Sequence, residues 1–148
     1  MQILLLLLFI ALFVIPYIFF LLTQQKVLNL IRIEHRKMNP NKVWYQLIPI
    51  VGMIWGFIVV RKVATSIYND LNTPDDDSIL GVSTPVRPNP TYSIGLAFNI
   101  LLCCSVIPIP FINSMFSLAG LICWVIYWVK LSNYKKMLET RALILIPQ

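Results

Sequence analysis

Four polar side chains lie inside otherwise apolar segments and are the first candidates for chemistry. Gln46 lies in the second apolar run, Asn99 and Ser105 lie in the third, and Ser117 lies in the fourth. A carboxamide surrounded by lipid needs a hydrogen-bonding partner across a helix interface. Asn99 is therefore predicted to join helices, with contact to a substrate as the alternative.

Ionisable residues are the next candidates, and the apolar runs contain no Asp, Glu, Lys, Arg or His. Such residues within a membrane mark ion paths and proton relays, so a proton-coupled carrier or an ion pump is disfavoured. His35 is the single histidine and has charged neighbours, which predicts a titrating surface residue. The acidic triplet at 75–77 lacks the alternate spacing and the central glycine of a calcium-binding loop, so we predict a solvated loop there.

Motifs of known catalytic sites do not occur in this sequence. There is no GxSxG, HExxH, P-loop or GxGxxG pattern, and these patterns are the ones that position nucleophiles, zinc or phosphates. Cys103, Cys104 and Cys123 form no CxxC pair and lie in apolar runs, which is typical of buried small hydrophobic residues. We therefore expect no enzymatic activity, no cofactor and no bound metal.

The elements that would position these residues follow from length and composition. The chain has 148 residues, of which 58% are hydrophobic and 12% are charged, whereas soluble domains are about 45–50% apolar and about 25% charged. This composition predicts an all-α membrane protein with a single domain over residues 1–148. The first apolar run, 3–22, has a spanning length; it lacks the basic start and the cleavage site of a signal peptide, and a retained membrane anchor is predicted.

The second apolar run, 43–60, carries several helix breakers in its middle. Pro49 and Gly52 favour a turn over 49–52, and Trp44 and Trp55 lie on either side of that turn. Trp favours the headgroup level of a bilayer, so a hairpin would return both ends of the run to one interface. Gly52 and Gly56 match a small-xxx-small packing pattern and would allow close backbone approach at the turn.

The remaining segments complete a predicted architecture of three transmembrane helices plus a re-entrant or interfacial helical hairpin, with a four-helix transmembrane bundle as the alternative. Helix is expected to continue from the first run as far as Lys37. The other predicted segments are an amphipathic interfacial helix over 61–71, a cytoplasmic loop over 72–92, transmembrane helices over 93–112 and 113–130, and a cytoplasmic tail over 131–148 into which the last helix continues. In the amphipathic helix, Val60, Val63, Ile67 and Leu71 take the apolar face, and Ser66 and Asp70 are placed with the polar residues on the other face. In the last helix, one face is predicted to consist of Tyr127, Leu131, Tyr134 and Leu138.

The distribution of the 12 Lys and Arg residues separates the two architectures. If all four runs cross, the cations divide into five on one side and seven on the other, without the usual excess in the cytoplasm. If 43–60 dips in and returns, all 12 lie on one side and none on the other. This split favours the re-entrant hairpin, with the N-terminus outside and the C-terminus in the cytoplasm. Irregular backbone at that depth is expected to be covered by protein.

The pattern around the predicted hairpin resembles a group of small bacterial integral membrane proteins of the domain-of-unknown-function type. Their W-x4-P-x5-W-x4-V motif falls here on Trp44, Pro49, Trp55 and Val60, and a later helix ending in IYWVKLSNYKK also fits the group. Members often have Asn near the turn, at the position where this chain has Gly52. The resemblance implies a bacterial inner membrane and supplies no activity.

The function predicted from these observations is a non-catalytic membrane subunit or scaffold that packs on a larger complex. A small homo-oligomeric pore for uncharged solutes is the alternative. The expected partners are the lipid bilayer and either a membrane protein or further copies of the chain, and nucleic acid is not expected because the cations follow the membrane flanks. Candidate packing or partner contacts are Trp44, Gln46, Pro49, Gly52, Trp55, Gly56 and Asn99.

Overall fold

Five helices account for most of the residues that the structure describes, in line with the predicted all-α class. The computed structural model describes residues 2–72, 89–106 and 112–144. The four α-helices are α1 (Gln2–Leu30), α2 (Val51–Asn72), α3 (Tyr92–Ser105) and α4 (Ile112–Ile144), and a 3₁₀ helix over Pro40–Leu47 precedes α2. Most of the predicted loop, including 75–77, and the short connection at 107–111 lie outside the described residues.

Three of these helices are long and apolar enough to cross a membrane, over Ala11–Leu30, Val51–Asn72 and Asn113–Leu143. The fourth apolar helix, α3, is shorter. The protein is therefore an all-α membrane protein. The long apolar helices differ from the three spans that the sequence predicted, because α2 is among them and the predicted span over 93–112 is shortened to α3.

Two predicted helix boundaries are wrong. Helix was expected up to Lys37, but α1 ends at Leu30. The Arg36 side chain turns back and donates from Nη2 to the carbonyl oxygens of Asn29 and Ile31, at 3.2 and 3.1 Å. Because the last carbonyls of a helix lack partners within it, this guanidinium stabilises the early end. The amphipathic segment 61–71 is also not a separate helix, since α2 continues through it without a break.

The last helix behaves as the sequence predicted. The predicted transmembrane segment 113–130 and the start of the predicted tail form one helix, α4, which continues to Ile144. Tyr127, Leu131 and Leu138 are buried along one face of it, and Tyr134 packs against the same cluster. Spacing of three and four residues places these side chains on one stripe, so α4 faces the other helices along most of its second half.

An aromatic cluster centred on Phe20 holds the helices together. The Phe20 ring of α1 meets Phe98 of α3 and Trp124, Tyr127 and Trp128 of α4 edge to face, with ring centroids 5.6–6.4 Å apart. Edge-to-face pairs add about 0.5–1.5 kcal/mol each beyond the area that they bury. The core therefore lies around the second half of α1. There, α4 packs beside α1, and α3 packs on α4.

The turn between the 3₁₀ helix and α2 contains a strained residue. Ile50 has φ of 67°, which is the left-handed region, and a branched Cβ makes that region costly. Ile50 is also 76% exposed. The turn at Pro49 that the sequence predicted is present, and its geometry forces an unfavourable backbone conformation on an exposed apolar residue.

Replacing Ile50 by glycine should raise the free energy of unfolding by about 1 kcal/mol, because glycine adopts positive φ without the Cβ clash. Ile54 is the matched control, since it is also exposed but lies inside α2. Ile54→Gly should lower the free energy of unfolding by about 1 kcal/mol through lost helix propensity. Unfolding of both variants in detergent, followed by circular dichroism, measures the two effects; destabilisation by Ile50→Gly would contradict the assignment of strain.

Candidate functional site

The ends of three helices meet at one buried carboxylate, that of Asp70. Asp70 lies in the last turn of α2, and its side chain is only 4% exposed. Arg32 and His35 reach it from the segment that follows α1, and Arg141 reaches it from the last turn of α4. Helix order along the chain would not predict this meeting, since the partners are separated by up to 71 residues.

The Asp70 carboxylate accepts several contacts from these neighbours. Its Oδ1 accepts from the backbone N–H and from Nε of Arg32, both at 3.2 Å, and lies 3.2 Å from Nδ1 of His35. Arg141 Nη1 donates to the Asp70 backbone carbonyl at 2.6 Å and lies 3.8 Å from Oδ2. A buried carboxylate needs charged partners and hydrogen bonds to offset its lost hydration, and this arrangement supplies both.

The segment after α1 is attached to α2 by a second contact near this carboxylate. The backbone N–H of Lys37 donates to Ser66 Oγ at 2.9 Å, and the same hydroxyl donates to the carbonyl oxygen of Lys62 at 2.7 Å. Ser66 is completely buried. Residues 31–38 therefore lie along about one helical turn of α2. They are attached to α2 by a hydrogen bond from backbone to side chain as well as by the contacts with the Asp70 carboxylate.

Two predictions about these residues are wrong. His35 was expected on the surface, but its side chain is 17% exposed and faces Asp70. Asp70 and Ser66 were expected on the solvated face of the amphipathic segment, but both are buried. The signal was present in the spacing: Val59, Val63, Ser66 and Asp70 follow each other at four, three and four residues, which places them on one helix face.

The chemistry of these side chains is that of a charge cluster that joins the ends of helices. Two guanidinium groups and an imidazole surround one carboxylate, with the short contacts on Oδ1 and the Arg141 guanidinium beside Oδ2. Removing one partner of a buried charge cluster leaves the others uncompensated, which couples the ends of α1, α2 and α4. We name this set of four side chains, Arg32, His35, Asp70 and Arg141, the Asp70 junction.

A helical hairpin adjoins the junction and contains most of the predicted site residues. Trp55 Nε1 on α2 donates to the carbonyl oxygen of Lys42 at 2.7 Å, and the Trp55 ring packs edge to face on Tyr45 at 5.4 Å. At the closed end, a Cβ on Gly52 would overlap the backbone carbonyl of Gln46. The expected close backbone approach at Gly52 is thus present, and Pro49 lies in the turn between the two arms.

Side chains of the 3₁₀ helix also bind the end of α1. Gln46 Nε2 donates to Gln24 Oε1 at 2.7 Å and to the Val43 carbonyl at 3.2 Å, and both glutamines are buried. Trp44 Nε1 donates to Gln25 Oε1 at 3.1 Å. Gln24 and Gln25 are partners that the sequence reading missed. Their place in the sequence, as two adjacent glutamines just after an apolar run, could have indicated that they bond to another segment.

The remaining predicted residues, Gly56 and Asn99, meet each other between α2 and α3. Asn99 is buried and donates from Nδ2 to the Gly95 carbonyl at 2.8 Å, while a Cβ on Gly56 would overlap its Oδ1. The amide therefore bonds within its own helix and also occupies the space that Gly56 leaves on α2.

Within residues 2–72, 89–106 and 112–144, no three His, Cys, Asp or Glu side chains form a group that could hold a metal ion. The comparisons with known proteins give no further direction: no family model, no curated protein and no solved structure matches this chain.

Replacing Asp70 by Asn should lower the free energy of unfolding by about 2 kcal/mol, because the neighbouring guanidiniums lose their counter-charge. Glu139→Gln is the matched control. Glu139 is 45% exposed and pairs with Lys135 at 3.6 Å within α4, and such exposed pairs are worth about 0.5 kcal/mol or less. Equal effects of the two variants on the free energy of unfolding in detergent would argue against a stabilising role of the Asp70 junction.

Replacing Gly52 by alanine should lower the free energy of unfolding by about 2 kcal/mol, because the added methyl collides with backbone that cannot rotate away. Gly120→Ala is the control, since a Cβ there meets its nearest neighbour, Leu101 Cβ, at 3.5 Å, an ordinary contact distance. That variant should be neutral or more stable by up to about 1 kcal/mol, as expected from helix propensity. Thermal unfolding of both variants in the same detergent measures the difference, and a neutral Gly52→Ala would show that the two hairpin arms are not tightly apposed.

Proposed function

We propose that this protein is a non-catalytic integral membrane subunit or scaffold that packs on a larger membrane protein complex. The observation that carries the proposal is a set of exposed apolar side chains in the first half of α1. Ile3, Leu4, Leu7, Leu8 and Leu12 are each more than half exposed, whereas burial in α1 is concentrated between Phe20 and Leu30. These five side chains lie within about half of the helix circumference and offer one broad apolar face, which suits helix–helix contact within a membrane.

The polar contacts of the chain support a structural role. Gln46 is bonded to Gln24, Asn99 is bonded to Gly95, and Asp70 is surrounded by cations of this same chain. Each of these groups acts between or within helices. Donors and acceptors used in this way hold helices in place.

The orientation that we propose has the N-terminus outside and the C-terminus in the cytoplasm of a bacterial inner membrane. Arg32, Asp70 and Arg141 are in contact, so the ends of α1, α2 and α4 that carry them belong on one side. The same three ends carry most of the Lys and Arg residues, and cytoplasmic flanks are enriched in these cations. The resemblance to small bacterial membrane proteins supports the same location.

Purification of the full chain from native membranes in mild detergent tests the proposal. A stoichiometric, unlike membrane protein should co-elute with the wild type, identified by mass spectrometry. Leu4→Ala combined with Leu8→Ala should reduce this co-elution, because it removes apolar contact area from the first half of α1. Val125→Ala combined with Val129→Ala is the control, since those side chains are also exposed but lie on α4, and it should leave co-elution unchanged.

Two outcomes would contradict the subunit proposal. The chain eluting alone as a monomer would argue against any stable partner. A symmetric homo-oligomer that lets uncharged solutes cross vesicle membranes would instead support the pore, which is the alternative function.

A further inference from the structure

We propose that the hairpin formed by Pro40–Leu47 and α2 inserts its closed end into the acyl chains of one leaflet and leaves on the side from which it entered. The interacting surface is the apolar tip, which we define as Leu47, Ile48, Ile50, Val51 and Ile54. Its partner is lipid. This inference is independent of the subunit role proposed above.

The direction of α2 is the first argument. Arg32 follows the end of α1 and Asp70 lies at the end of α2, and the two are in contact. The chain between them returns along α1 only as far as Gln24, where Gln46 is bonded. Six residues of helix separate Gln24 from Leu30, or about 9 Å, far less than the roughly 30 Å of a hydrocarbon core. The return segment therefore does not cross, and α2 starts and ends on the side where α1 ends.

The charges of α2 give the second argument. Its length and mean hydropathy would allow it to cross, but Arg61 and Lys62 occupy the centre of Val51–Asn72. A crossing helix would hold both cations at the bilayer midplane, where charge is costly. In the hairpin, Arg61 and Lys62 lie instead at the headgroup level, with Lys42 at the base of the other arm.

The depth of insertion follows from helix geometry. Eleven residues separate Ile50 from Arg61, which is about 16 Å along an α-helix. If Arg61 lies near the headgroups, Ile50 reaches no deeper than about the middle of a hydrocarbon core that is roughly 30 Å thick. The hairpin is therefore too short to reach the other headgroup layer.

The backbone of the turn shows why lipid can surround it. Ile48 N–H donates to the Tyr45 carbonyl at 3.2 Å, Val51 N–H to Pro49 at 2.7 Å, and Gly52 N–H to Ile48 at 2.6 Å. Pro49 has no N–H to satisfy. Irregular backbone needs protein cover in a membrane because its polar groups would otherwise lack partners. This turn pairs most of its own groups, so the cover by protein that the sequence analysis expected is not required.

The side chains of the tip match the same environment. Leu47, Ile48, Ile50, Val51 and Ile54 are all exposed, between 45 and 76%. The indoles of Trp44 and Trp55 donate their N–H groups to Gln25 and to the Lys42 carbonyl, and Trp55 lies between the tip and Arg61 along α2. Trp favours the region between headgroups and acyl chains. The apolar tip, the indoles and the cations thus follow the order expected from the interior of a leaflet to its surface.

A fluorescent label at position 50 tests the insertion in the full chain. Cys103, Cys104 and Cys123, which form no disulfide, are first replaced by alanine. Ile50→Cys and Ile33→Cys variants are then each labelled with an environment-sensitive fluorophore and reconstituted into phosphatidylcholine–phosphatidylglycerol vesicles. Ile33 is the control because it is 82% exposed and lies next to the Asp70 junction, outside the proposed lipid contact.

The label at 50 should show blue-shifted emission, strong quenching by nitroxide lipids that carry the nitroxide deep in the acyl chain, and loss of quenching by aqueous iodide. The label at 33 should show the reverse pattern. Equal iodide quenching at both positions would place the tip in water. Shielding of position 50 from both quenchers would place protein on the tip, either a second copy or a different partner, and either result overturns the proposal.

The side on which α2 ends is measured separately by a membrane-impermeant maleimide. The introduced thiols of Ile33→Cys and Asn72→Cys variants should react from the same side of sealed vesicles, because α2 ends on the side where α1 ends. Reaction from opposite sides would overturn the proposal by showing that α2 crosses. Each variant is checked for the helical circular dichroism of the wild type, so that a misfolded protein is not scored.

Discussion

The burial of the Asp70 carboxylate is the constraint on which the rest of the structure depends. A carboxylate at this degree of burial requires cations beside it, and Arg32 and Arg141 come from segments far away in sequence. Satisfying that requirement brings the ends of α1, α2 and α4 together. Once these ends share one location, α2 must run in the same direction as α1, and the intervening chain must turn back before α2 can begin.

The hairpin is the means by which the chain turns back. Its first arm is tied to α1 by Gln46 and Trp44, and its two arms approach closely where Gly52 has no side chain. A turn that pairs most of its own backbone groups can lie in lipid with apolar side chains outward. The strained Ile50 at its tip is consistent with this, because a strained conformation persists where the surrounding contacts determine it.

The use of the polar groups inside the fold explains why both proposals assign function to the surface of the protein. Polar groups at Gln24, Gln46, Asn99 and Asp70 act inside the fold, either between its helices or within one. Exposed apolar side chains remain in the first half of α1, at the hairpin tip and on α4. We assign those of α1 to a partner protein and the hairpin tip to lipid. Both assignments use contact area and shape, as expected for a subunit whose role is to hold a position in a membrane.

The sequence by itself determined the class, the turn and the local faces of the helices. Composition predicted an all-α membrane protein, Pro49 and Gly52 predicted the turn, and three- and four-residue spacing predicted the buried face of α4, because these features depend on neighbours within one or two helical turns. Tertiary structure decided the end of α1 at Leu30, the continuity of α2, and the burial of Asp70 and His35. The burial of Asp70 and His35 depends on charges that meet across 35 to 71 residues of chain, and no local pattern specifies which cation will pair with which carboxylate.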